Sequence, residues 1–90
     1  MILDSRIRVK ALAILSGLEK AEFKYLKEKL RTTDGNLSSH MKKLEEAGLI
    51  RVEKAIVKGK PRTYYSITEK GKKVLMEYLE EILREMSGKH

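Results

Sequence analysis

The chain has 90 residues with no cysteine, a formal net charge of +7 and a pI of about 9.7, which fit one small basic domain near the lower size limit for a stable core. The absence of cysteine excludes disulfide bonds and thiolate metal sites, and the lack of both a cleavable signal and an apolar run of about 20 residues predicts a cytoplasmic protein without a membrane span. The charge suits a polyanion such as nucleic acid, or an anionic membrane surface, and so short a chain would gain stability from oligomerisation.

The first segment predicts a helix that is apolar on more than one side. One stripe recurs with the helical period of 3.6 residues and consists of Ile7, Ala11, Ile14, Leu15 and Leu18. Asp4 or Ser5 can cap the start, Gly17 marks the end, and Leu12 is among the apolar residues off the stripe. A second buried contact, such as one with another subunit, would explain this breadth. A short second helix is predicted from Glu22 to Leu30.

The third predicted helix begins in the stretch TTDGNLSSHMKKLEEAGLI. Asp34-Gly35 is a strong tight-turn dipeptide, which would mark a β-hairpin between alternating apolar residues. The apolar residues that follow are instead spaced by four and then three, which is helical, at Leu37, Met41 and Leu44. Thr33 or Asp34 is a good N-cap, and Gly48 is placed to end the helix. The stretch is therefore predicted to start a helix.

A β-hairpin is predicted next. Residues 49–53 and 62–67 are rich in β-branched and aromatic residues, and the turn-forming cluster at 57–61 separates them. Pro61 cannot donate to a strand ladder, so we expect it in the loop or at the edge. Tyr64 and Tyr65 are adjacent and point to opposite faces of a strand, so at least one is expected in the core.

Thr68 then caps a last helix that runs to about Glu85. Its apolar residues repeat at four, three and four, at Leu75, Leu79, Ile82 and Met86. The order of elements is helix, helix, helix, hairpin, helix. It predicts a single α+β domain over residues 1–90, without repeats or linkers.

The exposed side of the third helix carries chemistry that suits the major groove of DNA. Opposite the buried stripe, or flanking that side, lie Asn36, Ser38, Ser39, Lys42 and Lys43. Asn can pair with adenine, Ser can contact either kind of base edge, and Lys can contact guanine or phosphate. Any surface helix shows polar residues opposite its core stripe, however. Asn36, the single asparagine, is equally well explained as support for the helix start.

The hairpin adds independent support. Basic residues cluster around its tip at Lys58, Lys60 and Arg62. A basic tip beside a recognition helix would contact phosphates or enter the minor groove. The alternative is a solvated strand edge that its lysines protect from aggregation.

Three motifs, TDGNLSSHMKKLEEAGLI, KGKPRTYYSIT and TEKGKKVL, together resemble the winged helix-turn-helix transcriptional regulators of bacteria and archaea, the broad MarR-like and ArsR-like group and especially its small single-domain members. The resemblance covers residues 7–83 and implies a recognition helix at 33–47 and a wing tip at 58–62. It also implies a homodimer on double-stranded DNA, most simply a repressor, joined through segments 1–18 and 68–86. The implied dimer interface includes Ile7, Leu75, Leu79, Ile82 and Met86.

Other functions find less support in the sequence. No serine has a credible histidine-acid pair, so catalysis is not expected. With no cysteine and only His40 and His90, which are far apart in sequence, neither a metal site nor a cofactor is predicted. His40 is interpreted as a packing or phosphate-contacting residue. The group includes members with small-molecule effectors, but nothing in this short chain indicates one. A protein-interaction module within a larger complex and a structured-RNA binder remain the alternative functions, although no aromatic stacking platform for RNA is evident.

Overall fold

A computed structural model describes residues 2–88 of the chain, which form four α-helices and three β-strands. After a short 3₁₀ turn at Ile2–Asp4, the elements in chain order are α1 (Arg6–Ser16), β1 (Ala21–Glu22), α2 (Phe23–Leu30), α3 (Asp34–Glu46), β2 (Ile50–Val57), β3 (Lys60–Ile67) and α4 (Glu69–Met86). The predicted α+β class, with three helices, a hairpin and a closing helix, is confirmed. The two-residue strand β1 was not predicted, because so short a strand leaves no periodic pattern in the sequence.

Side-chain caps fix where the helices begin. The hydroxyl oxygens of Ser5, Thr33 and Thr68 each accept a hydrogen bond from the backbone N–H three residues further on. Each of these bonds satisfies a donor that has no partner within the helix. Thr33 therefore starts α3 at Asp34, and the Asp-Gly dipeptide begins a helix, as predicted. Gly48, with φ of 77°, follows the end of α3 in the left-handed conformation that glycine adopts without strain.

The sheet is antiparallel, with strand order β1-β3-β2. Lys58 and Gly59 alone connect β2 to β3, and both have positive φ, as a type I′ turn requires. The predicted loop at 57–61 is therefore wrong, because both strands extend further toward the tip. Pro61 pairs with Ile56 inside the hairpin. The strand tolerates it there because β1 pairs only with Tyr64 and Tyr65, so within residues 2–88 no strand pairs with the other side of β3 at Pro61.

The core lies between the helices and the base of the hairpin. Its fully buried side chains are Leu3, Leu12, Leu15, Leu26, Leu37, Met41, Leu44 and Leu49. The predicted stripe of α1 is wrong at two positions, since Leu12 is fully buried and Leu18, beyond the helix end, is 42% exposed. Tyr65 is buried and Tyr64 is half-buried, which confirms the predicted division between the two faces of β3.

Candidate nucleic-acid interface

The helix α3 turns its polar side outward. Its apolar residues Leu37, Met41 and Leu44 are almost completely buried. All five residues predicted to face DNA are exposed, namely Asn36, Ser38, Ser39, Lys42 and Lys43. Burial of one side of the helix therefore fixes which residues the other side presents.

The side chain of Asn36 is already engaged at the start of α3. Its amide Nδ2 donates to Thr32 Oγ1 at 2.7 Å, and its backbone N–H donates to Thr33 Oγ1 at 3.2 Å. The side chain is exposed, and the amide oxygen remains an acceptor. A bidentate pair with adenine needs the amide oxygen and one N–H, and the amide nitrogen keeps a second N–H beside the one that it donates to Thr32.

A cleft of about 390 Å³ separates α3 from the hairpin. The two cationic side chains that line it, Lys42 from α3 and Lys54 from β2, come from its opposite walls, together with the hydroxyls of Ser38 and Thr63. The apolar and aromatic side chains that line it are Phe23, Met41, Val52 and Tyr65. The helix and the hairpin thus line one shared cleft, which carries two lysines and one glutamate among hydroxyl and apolar side chains.

The Tyr65 hydroxyl stays protonated in this cleft. Burial raises its pKa above the ordinary value of 10.0, and the neighbouring carboxylate of Glu45 raises it further. Glu45 also lines the cleft, from the same helix as Lys42, so the cleft carries one negative charge beside its two lysines. A neutral phenol can donate a hydrogen bond to an anionic partner in the cleft.

The three basic residues predicted at the wing differ in exposure and in whether they already form an ion pair within the chain. Lys58 and Lys60 are exposed at the turn. Arg62 is half-buried, and its Nη1 donates to Glu22 Oε1 at 2.7 Å in an ion pair that joins β3 to β1. This pair was not predicted, because the strand β1 itself was not predicted. Arg62 therefore offers less free charge to DNA than the two lysines do.

One further cation was missed by the sequence reading. Lys20 Nζ lies 4.7 Å from the centre of the Tyr64 ring and 3.9 Å from Glu53 Oε2. These residues lie on the face of the sheet opposite the cleft, because Tyr64 pairs with Glu53 while Val52 pairs with Tyr65. The contact therefore lies away from the cleft, and an ion pair between side chains this exposed contributes little to stability.

Arg8 connects α1 to α3. It is only 9% exposed, and its Nη1 lies 2.9 Å from Nδ1 of His40. Its Nε donates to the carbonyl oxygen of Ile2. His40 is thus held by packing within the chain, which agrees with its interpretation as a packing residue.

The C-terminal helix exposes an apolar stripe. Of the predicted dimer residues, Ile7 is half-buried and Leu75 is 3% exposed in the core, while Leu79, Ile82 and Met86 are exposed. Met76 and Leu83 are also exposed, so apolar residues at 76, 79, 83 and 86 repeat at three, four and three along one side of α4. Leu75 therefore offers almost no surface to a partner, and the exposed stripe offers much more.

Within residues 2–88, no three His, Cys, Asp or Glu side chains are grouped to hold a metal ion, and His90 lies outside the described residues. None of the helices in this range has both the length and the apolar character that crossing a membrane requires.

Three packed helices, the third presenting a polar face beside a basic hairpin, define a winged helix-turn-helix protein. The comparison with protein families agrees over most of the chain. The chain belongs to the family described as Winged helix DNA-binding domain, whose profile matches residues 7–86. The predicted resemblance is confirmed, and the family is one of DNA-binding proteins rather than enzymes.

Individual relatives support the same assignment. An uncharacterized protein of Methanocaldococcus jannaschii is 52% identical over 83 residues, which cover 92% of this chain and 90% of the relative. A transcriptional regulator homologue protein from Pyrococcus horikoshii superposes with a TM-score of 0.90 at 32% identity, covering 97% of this chain and 86% of that one. A PadR family transcriptional regulator from Eggerthella lenta superposes with a TM-score of 0.72 at 29% identity, covering 89% and 77%.

Proposed function

We propose that the protein is a homodimeric, sequence-specific regulator of transcription that binds double-stranded DNA, most simply as a repressor. The recognition helix α3 enters the major groove, and the wing contacts the backbone or the minor groove. The cleft between them carries this proposal, because Lys42 of α3 and Lys54 of the hairpin line it together. Two elements that are separate in the sequence thereby form one surface for a polyanion.

Affinity and specificity come from different residues of this surface. The lysines of the cleft and of the wing tip neutralise phosphates and release counterions, which strengthens binding to any sequence. The exposed residues of the first turns of α3, including Asn36, Ser38 and Ser39, reach the edges of the bases. Their small size lets the helix approach the groove closely.

The second copy binds through α4. The apolar stripe at 76, 79, 83 and 86 lies on a helix that continues to Met86, and burial of the stripe against a partner removes it from water. A groove of about 210 Å³ between the N-terminal turn and α4, with Ile2, Val74 and Tyr78 among its lining residues, lies on the other side of α4 from this stripe and is not part of the proposed contact. Two recognition helices then enter successive major grooves roughly 34 Å apart, so the operator is a near-palindrome.

A salt titration tests this proposal. A labelled operator, selected by the protein from a pool of random duplexes, is titrated between about 50 and 200 mM salt, where counterion release by six or more phosphate contacts lowers affinity by roughly a thousandfold or more. Lys42→Ala and Lys54→Ala should each reduce the slope of the logarithm of affinity against the logarithm of salt concentration. The control Lys72→Ala should not, since Lys72 lies on α4 and pairs with Glu69. An affinity that is nearly independent of salt would reject the proposal and favour a protein-interaction module.

A further inference from the structure

The wing carries an exposed apolar residue that the contacts described above do not use. Ile56 is 78% exposed, one residue before the last cross-strand pair of the hairpin. Its cross-strand partner, Pro61, is also exposed and apolar. A single exposed apolar side chain is ordinary on a protein surface. Here the position, the neighbours and the charge of the hairpin together indicate a partner.

The register of the hairpin shows which way Ile56 points. Successive residues of a strand alternate between its faces, so Val52, Lys54 and Ile56 share one face. Val52 and Lys54 line the cleft beside α3. This face therefore passes from the core at Val52, through the cleft at Lys54, to open surface at Ile56. Ile56 extends the surface that α3 presents, on the side where the proposed duplex lies.

The charge around Ile56 selects the chemistry of the partner. No acidic residue occurs between Lys54 and Arg62, and Lys58 lies in the turn itself. Lys54 shares the face of Ile56, whereas Lys60 pairs with Val57 on the other face, so cations lie on both sides of the hairpin. An apolar side chain on such a cationic hairpin fits the minor groove, whose phosphates take the lysines and whose interior accepts apolar side chains. The two-residue turn keeps the tip narrow, which a groove about 6 Å wide requires.

We propose that Ile56 is a specificity-determining residue that packs into the minor groove beside the major groove occupied by α3 and selects A·T base pairs there. The proposal rests on the proposed function. In the minor groove a G·C pair displays the N2 amino group of guanine, and an A·T pair displays only acceptors. An isoleucine pressed against guanine would leave that donor without a partner, and an unpaired buried donor is costly.

Replacing guanine with hypoxanthine, the base of inosine (I), tests whether the N2 amino group causes the discrimination. Hypoxanthine pairs with cytosine as guanine does but lacks that amino group. Duplexes are built on the selected operator with A·T, G·C or I·C pairs in the segment that the wing reaches, and binding of each is measured at fixed salt. The wild-type protein should bind A·T and I·C flanks alike and G·C flanks about fivefold or more weakly, the range of a single unfavourable base pair. Equal affinity for G·C and I·C flanks would overturn the proposal.

A matched pair of variants assigns the effect to Ile56. Ile56→Thr and Val57→Thr make the same β-branched replacement on adjacent residues of one strand that point to opposite faces. Ile56→Thr should remove the discrimination between I·C and G·C flanks, and Val57→Thr should keep it. Retained discrimination in Ile56→Thr would overturn the role of this residue. Loss of the proposed function is distinguishable, because the wild-type protein would then show no salt-dependent binding to any duplex.

Discussion

Arg8 and His40 hold α1 and α3 together through a hydrogen bond of 2.9 Å between Nη1 and Nδ1. A guanidinium group can only donate, so Nδ1 of His40 must accept and the imidazole carries its proton on Nε2. The neutral ring is therefore the form that the fold requires. Burial lowers the pKa of His40 below 6.5, and the positive charges of Arg8 and Lys43 lower it further.

Acid should weaken the fold through this contact. Because the pKa of His40 is lower in the folded chain than the value of 6.5 in the unfolded chain, the unfolded state binds more protons as the pH falls below 6.5. The contribution is fully present above that pH and is lost as the pH falls through the folded pKa. Water screens the half-buried ring, so we expect a slope well below the limit of about 1.4 kcal/mol per pH unit for one linked proton.

Comparison with His40→Asn isolates this contribution, since Asn Oδ1 can accept from Arg8 but does not titrate. Denaturant unfolding of both proteins is measured between pH 7.5 and pH 5. The wild type should lose more stability than the variant across this range. Parallel curves would show that the protonation of His40 is not linked to folding.

Gly71→Ala should strongly destabilise the protein. A Cβ at this position would lie 2.2 Å from the backbone oxygen of Leu49 and 2.8 Å from Cγ1 of Ile67, so α4 would have to move away from the sheet. We expect a loss of about 2–3 kcal/mol in the free energy of unfolding, despite the better helix propensity of alanine. Gly35→Ala is the matched control, because nothing lies within 4 Å of its added Cβ and α3 should become slightly more stable. Equal stability of the two variants would contradict the close approach of α4 at Gly71 to the backbone of Leu49.

The sequence predicted the helices well because each has its own local signals. Thr33 and Thr68 precede helical apolar periods, and Gly48 follows one, so three boundaries could be read directly. The turn of the hairpin was predicted too long, because Pro61 was expected in the loop or at its edge and was counted with the turn-forming cluster. Whether a strand tolerates proline depends on whether another strand lies beside it, and that is a property of the assembled sheet.

The candidate site was predictable where it follows from burial of one helix side. The five exposed residues of α3 are of this kind. The contacts of Arg62 with Glu22 and of Arg8 with His40 join residues 40 and 32 positions apart, and no local pattern reveals such pairs. Likewise, side chains alternate between the two faces of β2, but the sequence does not show which face lines the cleft. Ile56 could be placed on the cleft side only once the strand register was known.

Two variants should distinguish residues that recognise bases from residues that contact phosphates. Asn36→Ala removes an amide at the start of α3, and we expect it to relax base preference at one position by about 1–3 kcal/mol. Lys60→Ala removes a charge at the wing turn and should weaken binding to operator and random duplex by the same factor. Affinities of both variants for both duplexes are measured at two salt concentrations. If the two substitutions acted identically on operator and random DNA, this division of roles would be wrong.

For Asn36→Ala, the local hydrogen bond must be separated from base contact. The amide also donates to Thr32 Oγ1 at 2.7 Å, so the variant could loosen the start of α3. Asn36→Asp tests this, because a carboxylate at a helix N-terminus favours the helix but repels the duplex. Normal stability with lost operator binding in Asn36→Asp would place the residue at the DNA. Operator affinity unchanged in both variants would limit Asn36 to supporting the helix.

Leu83→Glu should dissociate the dimer without unfolding the chain. Leu83 is 62% exposed, so the substitution removes little from the core of one chain. In the proposed dimer it faces the partner twice by symmetry, and losing the burial of two leucines costs about 2–4 kcal/mol, roughly thirtyfold to several hundredfold in the dissociation constant. Sedimentation equilibrium should report monomers, and operator affinity should fall because one chain reads only one half-site. Tyr25→Glu, a charge placed on another exposed apolar position, in α2 and away from the stripe, should leave the dimer intact. A Leu83→Glu protein that sediments as a dimer would move the interface away from this stripe of α4, while the DNA surface formed by α3 and the wing would still stand on its own evidence.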